Sequence, residues 1–260
     1  MLIYTPIPRH QAILFTSPKC ACQTIEKINL RIFKHPFFNT FQIGTPYANK
    51  EGNNSYEYNQ KNFEKILKNG KDFSKIVVTR NPVKRILSCY NYMIVGKHRY
   101  TYLRPTGKTW FKDRIEAYTK KPLFETTFTE LVDYTLETPD HLLDIHLSPQ
   151  TFCAENLNPT HIVRVENLNS DLQEISDELK LGLAVPTHIQ KNKTNYNFVN
   201  PSEITDELLS KIFEIYKEDF KKFKHDLPSV KSMKKYLEKK SHKGRVHCRP
   251  IIPQHSNIIQ

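Results

Sequence analysis

A lysine lies in a short segment of small residues that joins an apolar run to a helical pattern. Residues 11–17 are predicted to form a buried strand ending in a turn, and isoleucines at helical spacing follow from Ile25 onwards. The connecting segment, 17–24, carries Lys19. Backbone N–H groups of such a turn and the N-terminus of the next helix can bind an anion, to which a lysine adds positive charge. The pattern predicts an anion site, with a plain surface lysine as the alternative.

A second polar pair follows the clearest strand pattern of the chain. Residues 75–79 are rich in β-branched side chains, the run stops at Arg80, and Asn81 and Pro82 supply an N-cap and a first-turn proline. Ser88 lies about two turns into the predicted helix. The guanidinium fork matches phosphate oxygens, so this arginine and serine can converge on one phosphate. The alternative is an arginine that caps a neighbouring carbonyl and a serine that only packs.

The elements between these residues indicate how they are brought together. Residues 161–166 form another strand pattern, followed by a helix over 167–181, and capping-box spacing predicts a helix over 127–136. One apolar stripe predicts a helix over 202–223, whereas residues 97–125 have no period and are predicted as a loop over the site. Strands alternating with helices predict an α/β fold with a parallel sheet flanked by helices on both faces, which binds ligands at the carboxyl ends of its strands.

Composition narrows the class of protein. The chain has 260 residues, a net charge of +12 and five cysteines, and 13 Lys/Arg stand against 5 Asp/Glu between residues 211 and 249. No apolar run reaches the roughly 18 residues of a membrane span, and the odd, unevenly spaced cysteines argue against a disulfide framework and a zinc site. We expect a single domain over 1–228, a basic tail over 229–260, and an anionic partner.

Five segments, in a consistent order, resemble the PAPS-dependent sulfotransferases, in particular carbohydrate sulfotransferases of the Golgi type and their bacterial relatives. Their counterparts in that family are the 5′-phosphosulfate loop, the 3′-phosphate motif R-D-P-x-x-R-x-x-S-x-Y, the H-x-x-P-Q segment, the strand after it and the closing Y-x-x-D-F-x-x-F helix. In this chain they are residues 18–25, 77–90, 144–153, 161–168 and 212–223. The resemblance covers about residues 12–225.

The resemblance implies a P-loop-like sheet and a co-substrate, PAPS (3′-phosphoadenosine 5′-phosphosulfate). It implies that the sulfuryl group of PAPS moves to a hydroxyl of an acceptor, with release of PAP, and it favours a carbohydrate as that acceptor. It implies no metal. The residues it assigns to the donor are Lys19, Cys20, Ala21, Cys22, Gln23, Thr24, Arg80, Ser88, Lys193 and Thr194. The sequence departs from the family pattern at two places. Cysteines at 20 and 22 replace residues that are often Gly, Ser or Thr, and Asn81 replaces the usual Asp, which removes a charged partner for Arg85.

In-line displacement at sulfur gives the protein two tasks, by analogy with phosphoryl transfer. Lys19 suits the stabilisation of negative charge on the bridging oxygen of the leaving group. A histidine suits removal of the acceptor proton, because it can take up a proton near neutral pH. His146, in the H-x-x-P-Q segment, is the predicted base; His35 and His141 are rivals, and a structural role in a loop is the alternative.

Two other classes of function compete with this interpretation. A nucleotide phosphotransferase on a similar fold is the first, but the chain lacks Gly-x-x-x-x-Gly-Lys-Ser/Thr and a magnesium-binding strand. A nucleic-acid-binding module carried by the basic C-terminus is the second. Without an anchor segment, we expect the cytoplasm of a microbe, or the Golgi lumen if the chain is a truncated luminal domain.

Overall fold

The structure, a computed structural model, describes residues 3–7, 11–21, 25, 72–95, 110–153, 158–182 and 198–241. Its strands form one sheet in the order β1-β2-β3-β4, with bounds β1 (Ile3–Ile7), β2 (Ala12–Thr16), β3 (Ser74–Thr79) and β4 (His161–Arg164). Strands β2, β3 and β4 are parallel, and β1 pairs antiparallel with β2. The predicted α/β fold with a parallel sheet is confirmed, and β1 is an addition that the sequence did not indicate.

The described α-helices, in chain order, are α1 (Pro82–Cys89), α2 (Trp110–Thr119), α3 (Phe128–Glu137), α4 (Gln150–Cys153), α5 (Leu168–Glu178), α6 (Asp206–Ile215), α7 (Lys217–Lys222) and α8 (Val230–Ser241). The cap signals were correct for two of them. Asn81 accepts a hydrogen bond from the Lys84 N–H at the start of α1, and Thr127 and Glu130 form a reciprocal capping box at the start of α3. A π-helical turn, Tyr90–Ile94, continues α1.

Two helical predictions were wrong in detail. Helix α2 lies within residues 97–125, which were expected to be a loop. Over residues 111–119, where the structure describes its side chains, only Phe111 and Ile115 are deeply buried, too few for a visible period. The single helix expected over 202–223 begins at Asp206 and is interrupted at Tyr216, whose backbone leaves the helical region. The interruption separates α6 from α7.

The segment predicted as a basic tail, 229–260, is described as far as residue 241. Residues Val230–Ser241 form α8, and its Met233 and Leu237 are each 1% exposed within the same core as α1, α3 and α6. Through these apolar side chains, α8 packs against the helices of that core. Residues 242–260 lie outside the described part of the chain.

Two apolar cores hold the sheet and the helices. One lies on a sheet face, where Leu14, Ile76 and Val163 pack with α5; the alternate residues Phe15 and Val77 are buried on the opposite face. The other core joins α1, α2, α3, α6 and α8. In the described ranges, no helix has the length and apolar character that a membrane span needs.

Candidate active site

The turn after β2 has an irregular backbone that is held by its own hydrogen bonds. Lys19 has φ 66° and Ala21 has φ 59°, left-handed values that cost non-glycine residues of order 1 kcal/mol or more. The Thr16 hydroxyl donates to the Cys20 carbonyl at 2.6 Å, and the Cys20 N–H donates to the Ser17 carbonyl at 3.1 Å. The structure therefore defines residues 17–21 of the predicted donor loop. Its remaining members, Cys22, Gln23 and Thr24, lie outside the described residues.

Arg80 lies next to this turn, at the carboxyl end of β3. Its Nη1 donates to the Lys19 carbonyl at 3.1 Å. Its Nε is buried and has no hydrogen-bond partner in the described residues. A buried guanidinium donor without a partner is unfavourable, so a ligand acceptor would satisfy it. The structure thus brings Arg80 and the Lys19 turn together, as the sequence predicted, and leaves a donor for an anion.

Ser88 lies on α1 and is 9% exposed. No contact in the described part of the chain joins its side chain to that of Arg80, so their convergence on one phosphate stays a prediction. The start of α1 is fixed by Glu166, whose carboxylate accepts from the Asn81 N–H at 3.3 Å. The Asn81 side chain donates to the Asp226 carbonyl at 2.8 Å, a role that the family's usual aspartate could not take.

Arg85 joins the donor turn to the H-x-x-P-Q segment. Its side chain is 1% exposed and donates to three carbonyls: Pro18 at 3.1 Å, Ile145 at 3.1 Å and Ser148 at 2.8 Å. Carbonyl dipoles therefore take the place of the charged partner whose loss was expected from Asn81. Because one guanidinium bonds to both segments, it holds together the residues that precede Lys19 and His146, Pro18 and Ile145.

His146 has a defined orientation. Its Nδ1 lies 2.6 Å from Oδ1 of Asp144, and the same carboxylate oxygen accepts from the His146 N–H at 2.8 Å. The Cys89 thiol donates to the His146 carbonyl at 2.8 Å, and burial raises the pKa of this thiol, so that it stays a neutral donor. No hydrogen bond in the described ranges uses Nε2 of His146. An imidazole held by a carboxylate at Nδ1 presents Nε2 as a proton acceptor.

The rival histidines are placed differently. His141 is exposed in the single turn of 3₁₀-helix Asp140–Leu142, and His35 lies outside the described residues, as do Lys193 and Thr194. In the part of the chain that the structure describes, no group of three His, Cys, Asp or Glu side chains could hold a metal ion.

Two buried residues of the closing motif support the His146 segment, and sequence reasoning assigned neither a role. Tyr216 donates from its hydroxyl to the Leu147 carbonyl at 2.7 Å, and burial raises the pKa of this phenol, which keeps it protonated. Asp219 accepts from the N–H groups of Gln150 at 2.8 Å and Thr151 at 2.7 Å. Both motif segments were visible in the sequence, but the contacts between them were not.

Comparison with known proteins agrees with this geometry. The profile described as "Sulfotransferase family" matches residues 4–226, which include β2 to β4, all of β1 except Ile3, and the turns that carry Lys19, Arg80 and His146. Searches of curated proteins and of solved structures found no significant match. Because the family match spans most of the chain, and because its range contains the complete parallel sheet described above, the protein belongs to the sulfotransferase family.

Proposed function

We propose that the protein transfers the sulfuryl group of PAPS to a hydroxyl of a carbohydrate acceptor and releases PAP. The observation that carries this proposal is the pairing of the Lys19 turn with Arg80, whose buried Nε has no partner in the described residues. A nucleotide with phosphates at both its 5′ and 3′ positions offers anionic oxygens to both groups. The net charge of +12 favours an anionic glycan among possible acceptors.

Donor binding is divided between two ends of the nucleotide. The turn over 17–24 would hold the 5′ side through backbone N–H groups, while Arg80 and Ser88 would hold the 3′-phosphate. Lys193 and Thr194 would close over the nucleotide. Charge-assisted bonds from a guanidinium to phosphate are stronger than neutral hydrogen bonds, so Arg80 would contribute most of the preference for a 3′-phosphorylated donor.

The chemical step needs one cation and one base. Transfer breaks the bond between sulfur and the 5′-phosphate oxygen and forms a bond between sulfur and the acceptor oxygen, whose proton passes to Nε2 of His146. The Lys19 ammonium stabilises the negative charge that grows on the phosphate oxygen. The Asp144 carboxylate, 2.6 Å from Nδ1, fixes the ring and stabilises the imidazolium that forms.

Thermal unfolding in the presence of ligands tests the donor assignment. PAP should raise the unfolding temperature in EDTA, because binding to the folded state alone stabilises it, whereas ATP with Mg²⁺ should not. The opposite pattern would indicate a phosphotransferase. A generic oligonucleotide should give no shift that matches that of PAP.

Transfer itself is measured with sulfur-labelled PAPS and a panel of acidic glycans, neutral glycans, phenols and lipids. Label should appear in a glycan and should require the 3′-phosphate, so that adenosine 5′-phosphosulfate is a poor donor. Transfer only to a phenol or a lipid would retain the donor assignment and exclude the carbohydrate acceptor.

A further inference from the structure

We propose that Gln150 and Asp219 are positioning residues that set the preference for a 3′-phosphorylated nucleotide by fixing the backbone of Arg80. The inference rests on the proposed function and adds two residues outside the donor-binding set. Neither side chain is expected to touch the nucleotide. They act on it mainly through the peptide groups of Arg80; Oε1 of Gln150 also accepts from the Cys20 thiol of the donor turn at 2.9 Å, an acceptor that Gln150→Glu retains.

The peptide groups of Arg80 lie where the sheet ends. Strand β3 ends at Thr79, which is the last residue of its register with β4, so strand pairing no longer provides partners for the N–H and carbonyl of residue 80. The Gln150 side chain replaces that pairing: its Oε1 accepts from the Arg80 N–H at 2.9 Å, and its Nε2 donates to the Arg80 carbonyl at 2.9 Å. One amide side chain therefore makes the two backbone hydrogen bonds that a neighbouring strand would otherwise make.

Asp219 in turn fixes Gln150. Its Oδ2 accepts from Nε2 of Gln150 at 3.2 Å and from the Gln150 N–H at 2.8 Å. Asp219 is 0% exposed and Gln150 is 2% exposed. Buried networks of this kind are costly to break, because each lost partner leaves a desolvated polar group. The amide of Gln150 thus has a single orientation, with oxygen toward the Arg80 N–H.

The consequence for binding follows from the geometry of Arg80. A guanidinium recognises phosphate well only when its fork is correctly directed, and the direction of a side chain depends on its backbone. The Nη1 bond to the Lys19 carbonyl holds this side chain, while its buried Nε donor has no partner in the described residues. Releasing its peptide groups should weaken binding of the 3′-phosphate more than binding of the remaining nucleotide.

The test compares PAP with adenosine 5′-phosphate, which lacks the 3′-phosphate, by calorimetry. Gln150→Glu keeps an acceptor for the Arg80 N–H but loses the donor to the Arg80 carbonyl. It also places the new carboxylate beside that of Asp219. We expect about a 10-fold loss of PAP affinity, the size of one or two buried hydrogen bonds, and less than about a 2-fold change for adenosine 5′-phosphate. Asp219→Asn should act in the same direction, and the double variant should recover part of the loss, because the amide can donate to the new carboxylate.

The matched control is Thr135→Val, which removes a buried hydrogen bond to the Leu131 carbonyl inside α3. It should lower stability and leave the ratio of the two affinities unchanged. Equal losses for both nucleotides in Gln150→Glu would reduce Gln150 to a structural residue and overturn the inference. A wild-type protein that does not prefer PAP would instead overturn the proposed function.

Hydrogen exchange on the wild-type protein gives a readout that does not depend on folding of the variants. The Arg80 amide should be protected without nucleotide, because Gln150 accepts from it, and PAP should protect it further while adenosine 5′-phosphate should not. An Arg80 amide that exchanges freely, or that responds equally to both nucleotides, would contradict the inference.

Discussion

The ammonium of Lys19 lies 3.4 Å from the centroid of the Tyr92 ring. Tyr92 belongs to the π-helical turn that continues α1, and its half-buried ring packs against the helical core. The π-helical turn therefore places an aromatic face against Lys19 of the donor turn. π-Helical turns often occur at functional sites. A cation over an aromatic face is attracted by the ring quadrupole, so Tyr92 holds the lysine at the mouth of the turn.

Substitutions at Tyr92 should distinguish the effect of the aromatic ring on kcat from that of the hydroxyl. Tyr92→Phe keeps the aromatic face and should retain kcat, whereas Tyr92→Leu should lower kcat by on the order of 5-fold, the size of a partly exposed cation–π contact. For comparison, Lys19→Ala should lower kcat by about two to three orders of magnitude, as expected for loss of one charge-stabilising donor. Equal kcat values for the Phe and Leu variants would show that the ring does not position Lys19.

Arg80→Ala should weaken PAP binding by roughly 1.5 to 3 kcal/mol, the contribution of charge-assisted hydrogen bonds to a phosphate. Ser88→Ala should weaken it less. The matched control is Arg114→Ala, since Arg114 is an exposed arginine of α2 that also donates to a carbonyl, that of Leu142. Calorimetry with PAP checks the prediction, and an Arg80→Ala protein with wild-type affinity would remove Arg80 from the donor site.

His146→Ala should lower kcat by about 10²- to 10⁴-fold, the usual contribution of a general base, and leave PAP affinity nearly intact. Asp144→Asn should lower kcat less, because the ring remains but its orientation and the stabilisation of its positive charge are weakened. Loss of His146 should also flatten the acidic limb of the pH–rate profile. His141→Ala is the control, since that side chain is exposed. If His35→Ala gives this pattern and His146→Ala stays active, the base is His35.

His225 should make stability depend on pH. Burial lowers its pKa below the ordinary value of 6.5, with Arg164 and Lys84 acting in the same direction and Glu166 and Asp219 opposing them. Below that value the unfolded chain binds the proton more readily than the folded protein, so this stability is complete above pH 6.5 and is lost as pH falls toward the lower folded pKa.

The slope from one such group is at most about 1.4 kcal/mol per pH unit. Urea unfolding at about pH 7.5 and about pH 5.5 should therefore show a smaller pH effect for His225→Gln than for the wild type. The partner of His225 is the Thr79 hydroxyl, 3.2 Å from Nε2, which a glutamine amide can also contact. An unchanged pH effect would assign the acid sensitivity to other groups.

Local signals in the sequence predicted the frame of the site correctly. These signals are the β-branched run of β3, the Asn81–Pro82 cap and the Thr127 capping box. Each involves residues close together in the chain, so it can be recognised without knowing the fold. The predicted parallel strands also indicated that Lys19 and Arg80 lie at the same edge of the sheet, because the carboxyl ends of parallel strands lie together. Helix α2 was missed because, over its described residues 111–119, only Phe111 and Ile115 are buried in the core.

Tertiary structure alone decided which side chains support that frame. Gln150 pairs with the peptide groups of Arg80 across 70 residues of sequence, and its N–H bonds to Asp219 across 69. Contacts of this range depend on how α4 and α7 pack against the sheet edge, and that packing is the sum of many apolar contacts that no local pattern encodes. The sequence by itself therefore determined the candidate donor-binding residues. The fold decided that Gln150 bonds to the peptide groups of Arg80, that Asp219 bonds to Gln150, and that Arg85 bonds to the donor turn at Pro18.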